Sequence, residues 1–139
     1  MGLCMTGSCN VITLNINRIV QDWKRISGCP ELEGFEDSLR DYLISILERV
    51  YKYHIAYKTM LYDLEEKGMF SPSNGGYIYM KKLYSTIGLI GYTEAAQFLG
   101  MKISNNEEYI DFLRLIFGTV KEQNKLHSIR DKKRPILFK

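Results

Sequence analysis

The longest amphipathic stretch of the chain, from about Phe35 to Lys67, places the strongest limit on its fold. Apolar side chains recur there at three- and four-residue spacing, which is the pattern of a helix with one buried face. The stripe comprises Leu39, Tyr42, Leu43, Ile46, Leu47, Val50, His54, Tyr57, Leu61 and Leu64. Gly68 follows where a glycine commonly ends a helix. Because propensity alone does not stabilise so long a helix, it needs a large partner surface.

Short apolar runs elsewhere in the chain predict strands. Cys9 to Asn15 contains an almost continuous β-branched run, which suits a strand buried on both faces. We expect further strands at Tyr84 to Ile90 and at Pro135 to Phe138, whereas Tyr77 to Leu83 fits a strand or a helix. Strands that alternate with helices are typical of crossover units in a parallel sheet or barrel. The predicted fold class is therefore α/β.

Helical spacing returns between the first strand and the long helix. Ile16 to Ser27 predicts a helix that stops at Gly28, with Pro30 just beyond. The segment Ser71 to Gly76 is rich in serine, proline and glycine, so it predicts a loop.

Two more helices are expected in the second half of the chain. Thr93 is a suitable N-cap for a short helix from Glu94 to Leu99. Ser104 and Glu107 have the spacing of a capping box, which would open a long helix reaching as far as Asp131.

The charge of the chain is mildly basic. A net charge of +3 over 139 residues is not a nucleic-acid signature by itself. Positive residues cluster only at Arg130, Lys132, Lys133 and Arg134. A solvated helix end, where cations suit the helix dipole, is favoured for this run over phosphate binding.

Cysteine content and hydropathy bear on the compartment. Three cysteines, at positions 4, 9 and 29, make an odd number, and residues 1–20 lack the apolar region of a signal peptide. No apolar run approaches the roughly 20 residues of a membrane span. We therefore expect a protein of the reducing cytoplasm, with no disulfide framework and no membrane association.

Few residues suggest chemistry on their own. No cysteine spacing is typical of a zinc site, so no metal site is predicted. His54 falls on the apolar stripe and is interpreted as a hydrogen-bonded core histidine. Asn15 and Asn17 follow a predicted parallel strand, at the end where α/β folds place ligands. Tight turns remain the favoured interpretation of this segment and of the segment around Asn74 and Gly75.

Two longer stretches resemble a known family. Thr6 to Ile19, with the sequence TGSCNVITLNINRI, is similar to a turn and strand of anaerobic (class III) ribonucleotide reductases. Asn74 to Ala96 is similar to a second family block, which here contains STIG followed by EAA. Pro135 to Phe138 resembles a third family strand. The resemblance is colinear and extends over nearly all of the chain.

This resemblance implies one segment, residues 1–139, of a ten-stranded α/β barrel in a glycyl-radical enzyme. Such an enzyme reduces ribonucleoside triphosphates to deoxyribonucleotides. A glycyl radical generates a thiyl radical on a cysteine, which takes hydrogen from C3′ of the substrate. An activating protein with an iron–sulfur cluster and S-adenosylmethionine installs the glycyl radical, and formate or a thiol supplies electrons. The implied partners are the substrate, the remaining parts of the catalytic subunit and this activase, but no nucleic acid.

The residues carried over from the family are few. Asn15 corresponds to an active-site asparagine, and Ser8 and Cys9 in the preceding turn complete the predicted catalytic set. Asn15, Asn17, Asn74, Gly75, Ser85 and Thr86 form the predicted substrate-binding set. Cys4 is a further conceivable radical cysteine, although a free or buried thiol is the favoured interpretation of both cysteines.

Several parts of such an enzyme have no counterpart in this sequence. There is no glycyl-radical motif, no four-cysteine zinc module and no ATP-cone, and no cofactor is expected within the segment itself. We therefore expect the isolated chain to be inactive. One alternative is a non-catalytic α/β interaction module, or a split-subunit fragment that pairs with a complementary chain. Another is direct nucleotide binding by the loop at Asn74, Gly75 and Gly76.

Overall fold

The computed structural model describes residues 7–28 and 34–139. Their elements are β1 (Gly7–Asn15), α1 (Ile16–Ser27), α2 (Phe35–Glu66), α3 (Ser71–Asn74), a 3-10 turn (Met80–Lys82), β2 (Leu83–Ile90), α4 (Tyr92–Phe98), α5 (Glu107–His127) and β3 (Leu137–Phe138). The chain divides into two compact units. The first contains the described part of Met1–Ile12 with Arg49–Ile87 and Asn124–Lys139, and the second contains Thr13–Glu48 and Gly88–Gln123.

The three strands form one parallel sheet in the order β1-β2-β3. β2 pairs with β3 so that Tyr84 lies opposite Leu137 and Ser85 opposite Phe138. The amide of Ile87 donates to the carbonyl of Lys139 at 2.9 Å, which extends this ladder. The α/β class and the parallel sheet are therefore confirmed. The third strand is shorter than predicted, because Ile136 forms an antiparallel bridge with Ile129 instead.

α1 begins at the predicted residue, and both α1 and α2 are followed by the predicted glycines. Asn15 caps α1 by accepting a hydrogen bond from the amide of Arg18 at 3.1 Å. Gly28 ends α1 in the left-handed region, at φ 61°. After α2, Gly68 has φ 72°, and its amide bonds the Glu65 carbonyl at 3.0 Å. The amide of residue 69 bonds the carbonyl of residue 64 at 2.8 Å, which completes a Schellman motif.

Four local predictions were wrong. The expected loop after α2 contains one helical turn, α3, because proline suits the first positions of a helix. α4 begins at Tyr92 and has Gly91, not Thr93, at its N-cap. α5 is capped by Asn106, whose Oδ1 accepts from the amide of residue 109 at 2.9 Å, so the Ser104 capping box does not form. α5 also ends at His127, four residues before Asp131.

Each unit has its own buried core. In the first unit, Leu61, Tyr62, Met80 and Leu83 pack together, and Cys9 lies against them. In the second unit, α1 packs on α4. Its other buried side chains include Leu39, Leu43 and Leu47 on α2 and Phe112, Ile116 and Val120 on α5.

Candidate active site

The turn residues Ser8 and Cys9 lie beside β2. The hydroxyl oxygens of Ser8 and Thr86 are 2.5 Å apart. The Sγ of Cys9 is 3.4 Å from the carbonyl oxygen of Tyr84 and 3.7 Å from the Oγ of Ser85. Successive side chains of a strand point to opposite faces of the sheet. Ser8 and Thr86 therefore share one face, while Cys9 and Ser85 share the other.

The face with Ser85 is sealed by α2 and carries two buried ionisable groups. Lys58 has no exposed surface, and its Nζ donates to the carbonyl of Leu83 at 2.5 Å. Burial lowers the pKa of Lys58, and the nearby thiol of Cys9 partly opposes that shift. Nothing in the sequence pointed to Lys58 beyond its place four residues after His54, because Tyr57 was the residue expected in the stripe.

His54 lies one helical turn before Lys58 and is also fully buried. Neither ring nitrogen has a hydrogen-bond partner within the described ranges. Burial lowers the pKa of His54, with a smaller opposing effect from the backbone of Thr86, and the Phe138 ring packs edge-on at 5.8 Å. The predicted core position is confirmed; the interaction with the Thr86 backbone falls short of hydrogen-bond geometry, so the predicted hydrogen bond is not formed.

In the second unit, Asn15 and Asn17 lie where β1 passes into α1. Asn15 is exposed, and its Oδ1 caps α1 as described. Its Nδ2 donates to no residue within the part of the chain that the structure describes. The Oδ1 of Asn17 accepts from Gln21 Nε2 at 3.0 Å, which occupies it within the helix. Asn15 therefore offers an amide donor at the carboxyl end of a parallel strand.

Gly91 packs directly against these asparagines. A Cβ atom at this position would lie 2.9 Å from Asn15 Oδ1 and 3.2 Å from the Cβ of Asn17. Gly91 also has φ 72°, which favours glycine. The conformation of the Asn15 side chain thus depends on the absence of a side chain at residue 91.

Asn74 and Gly75 have structural partners. Asn74 Oδ1 accepts from the amide of Phe70 at 3.1 Å, and its Nδ2 donates to the carbonyl of Glu65 at 3.0 Å. A Cβ on Gly75 would lie 2.9 Å from the ring of Tyr77. These contacts secure the chain after α2, so both polar atoms of the Asn74 side chain already take part in hydrogen bonds within the chain. This geometry gives no support to nucleotide binding by the loop.

The predicted site residues thus fall into four places, one of which is the loop of Asn74 and Gly75 after α2. Ser8 with Thr86, and Cys9 with Ser85, meet on opposite faces of the sheet in the first unit. Asn15 and Asn17 belong to the second unit.

Within residues 7–28 and 34–139, no three His, Cys, Asp or Glu side chains are grouped so that they could hold a metal ion. No described helix has the length and apolar character needed to cross a membrane. Cys4 and Cys29 lie outside the described residues.

Solved structures share the fold. A Thermotoga maritima anaerobic ribonucleotide reductase in complex with dATP and CTP superposes with a TM-score of 0.74 at 22% identity, covering 88% of this chain and 20% of that one. Another anaerobic ribonucleotide reductase gives 0.74 and 23%, with 88% and 19% covered. The Thermotoga maritima enzyme with citrate in the active site gives 0.73 and 23%, and this chain covers 22% of it. The chain spans about a fifth of each of these structures.

No curated protein matches the chain. The family model for anaerobic ribonucleoside-triphosphate reductase matches residues 1–133, which is nearly the whole sequence. By that match the chain belongs to the anaerobic ribonucleoside-triphosphate reductase family.

Proposed function

We propose that the chain forms part of the catalytic barrel of an anaerobic ribonucleotide reductase and acts only together with the remainder of that subunit. The family match over residues 1–133 carries the proposal. The substrate class is ribonucleoside triphosphates, and the product is the matching deoxyribonucleotide. A glycyl radical elsewhere in the subunit would supply the radical chemistry, installed by the activase, with formate or a thiol as reductant.

The role of this chain would be to bind and orient the substrate. On the face that carries the hydrogen-bonded pair of Ser8 and Thr86, Ser8 is exposed and Thr86 is half-buried. A ribose hydroxyl can take the place of either partner in this hydrogen bond, because a hydroxyl group both donates and accepts. In the second unit, and independently of that pair, Asn15 offers its Nδ2 as a donor on a side chain already held by its cap to α1. A held donor loses little entropy when substrate binds.

Cys9 takes a supporting role in this proposal. Its thiol faces the layer beneath α2 and contacts Tyr84 and Ser85, away from the face of Ser8 and Thr86. Cys9 is half-buried on that side, so its thiol does not face a substrate bound beside Ser8 and Thr86. We therefore do not assign Cys9 as the thiyl cysteine.

Fragment complementation tests the proposal. The chain is mixed anaerobically with the activase and with a family catalytic subunit that lacks the matching segment, and deoxyribonucleotide formation is measured. We expect activity only when both fragments are present. Deoxyribonucleotide formation by the isolated chain would contradict the dependence on the remainder of the subunit.

Asn15→Asp separates the two roles of Asn15 in the same assay. The aspartate retains an oxygen that can cap α1 but loses the Nδ2 donor. We expect activity to fall about tenfold or more, equivalent to roughly 1.4 kcal/mol of transition-state stabilisation, with little change in helix content. Wild-type activity in this variant would remove Asn15 from the substrate site.

A second candidate is an interaction module without chemistry. In the sheet order, β1 is an edge strand of nine residues, and it pairs with β2 alone among the described strands. An exposed edge is a ready template for another strand. Stoichiometric capture of the complementary fragment without any deoxyribonucleotide formation would favour this candidate over the first.

A further inference from the structure

The turn between Ile129 and Ile136 carries the positive run noted in the sequence. Two backbone hydrogen bonds between these residues, of 2.8 and 2.9 Å, close the turn. We call residues 130–135 the basic hairpin. α5 ends at His127, before the hairpin begins, so these cations do not extend its last turn. The helix-dipole explanation that the sequence favoured is therefore wrong, and the positive charge needs another explanation.

The acidic residue of the hairpin, Asp131, accepts hydrogen bonds from the hairpin's own backbone. Asp131 Oδ1 accepts from the amides of Lys133 at 2.6 Å and Arg134 at 2.8 Å. These two bonds, together with the charges of Lys133 and Lys81, lower the pKa of Asp131. Asp131 therefore stays ionised and shapes the turn, but it balances only one positive charge.

One cation of the hairpin is already neutralised. Arg134 forms ion pairs with Asp63 at 2.8 Å and Glu66 at 2.6 Å. By contrast, Arg130, Lys132 and Lys133 are exposed, and their side chains form no hydrogen bond or ion pair with any described residue. After Asp131 and the paired Arg134 are counted, the hairpin has two surplus positive charges, spread over three side chains that face solvent.

The 3-10 turn before β2 adds a fourth cation to this surface. Lys81 Nζ donates to the carbonyl of Lys132 at 3.1 Å, which brings its ammonium group to the hairpin. Tyr79, two residues earlier, is 52% exposed, and Lys82 Nζ lies 5.2 Å from its ring centroid. Cations beside an exposed aromatic ring suit a ligand that combines phosphates with a base.

We propose that the basic hairpin and Lys81 bind a chain of phosphates, such as that of a nucleoside triphosphate or of inorganic tripolyphosphate. Ammonium groups on flexible stems can each reach a different oxygen of one phosphate chain. These residues are distinct from those proposed to face the reductase substrate. The inference therefore does not depend on the reductase activity.

Calorimetric titration of the whole chain with ATP and with tripolyphosphate, without divalent cations, tests this site. We expect binding that weakens as salt is raised, because the contacts are exposed charges. The double variant Lys132→Gln/Lys133→Gln should weaken both ligands about five- to tenfold, as expected for two exposed charge contacts. The matched control is Lys102→Gln/Lys121→Gln, which removes the same charge from exposed lysines of the second unit and should change affinity less than twofold.

The two ligands also distinguish the source of the phosphates. Tighter binding of ATP, with the advantage lost in Tyr79→Leu, would assign a nucleotide, whereas equal affinities would assign the phosphate chain alone. Either result supports the site. No detectable heat with either ligand would overturn it, as would equal weakening by the control variant. A single-stranded oligonucleotide that binds more tightly than tripolyphosphate at equal phosphate concentration would also overturn it, in favour of a nucleic-acid surface.

Discussion

The two units of the molecule bury different kinds of side chain. The second unit buries mainly hydrocarbon, and its buried polar groups have partners, as when Thr119 donates to the carbonyl of Leu115 at 2.7 Å. The first unit buries Lys58, His54 and Ser85 completely. Burying an ionisable group is costly unless it is well paired, so the first unit should be the more sensitive to protonation. The second should depend more on packing.

The largest expected effect is in the apolar core of the second unit. Leu43→Ala should lower the free energy of unfolding by about 3 kcal/mol, because Leu43 is fully buried and a cavity would remain. Urea denaturation at pH 7 measures this change. Leu126→Ala, at an exposed residue, is the control and should change it by less than about 0.5 kcal/mol. Equal losses in the two variants would contradict the apolar-core description.

His54 provides the pH test of the first unit. Because burial lowers its pKa in the folded state, the unfolded chain binds more protons at acidic pH. The stabilising effect of neutral His54 is therefore present above its unfolded pKa of about 6.5 and is lost as pH falls, by at most about 1.4 kcal/mol per pH unit. Urea midpoints from pH 8 to pH 5 measure the slope. His54→Leu should flatten it, and an unchanged slope in that variant would place the sensitive proton elsewhere.

Asn15 offers a smaller test in the second unit. Asn15→Ala removes the cap of α1 and should lower the free energy of unfolding by about 1 kcal/mol. Asn15→Ser, which retains a capping oxygen, should recover most of that loss. If both variants are as stable as the wild type, the cap contributes nothing and Asn15 is held for another reason.

Lys58 should show the smallest effect at neutral pH. Lys58→Met retains most of the apolar stem but removes both the ammonium group and its bond to Leu83, and these two effects oppose each other. The free energy of unfolding should therefore stay within about 1 kcal/mol of the wild type, as it should in Lys52→Met at an exposed position. A much larger loss would show that the bond to the Leu83 carbonyl is essential for β2.

The elements of the fold could largely be predicted from the sequence. The starts of α1 and α2, the glycine stops and the three strands all follow from local patterns. Those patterns report how a segment buries its own face, so they describe long elements well. These patterns could not show whether Ser104 or Asn106 caps α5, because both are suitable N-caps. The choice depends on the path of the backbone before the helix.

The candidate site was less accessible to sequence reasoning. A helical stripe of period 3.6 tolerates a shift of one residue, so Tyr57 was expected inside where Lys58 is buried. The pairing of Ser8 with Thr86 joins residues 78 positions apart, which no local pattern can reveal. The family resemblance indicated both residues as site residues but did not indicate that they contact each other. The shape of the basic hairpin was likewise hidden, because it depends on the bridge between Ile129 and Ile136.

Gly91 has a consequence for how this sequence can vary. Its positive φ alone would make asparagine the least damaging replacement, as at many turns. A β-carbon at residue 91 would lie 2.9 Å from the Asn15 oxygen, so asparagine there would have to displace the cap of α1. In a saturation library selected for folding, Gly28, with no described atom within 4 Å of a Cβ, should accept asparagine, whereas codon 91 should strongly favour glycine. The two glycines have similar backbones but opposite mutational freedom.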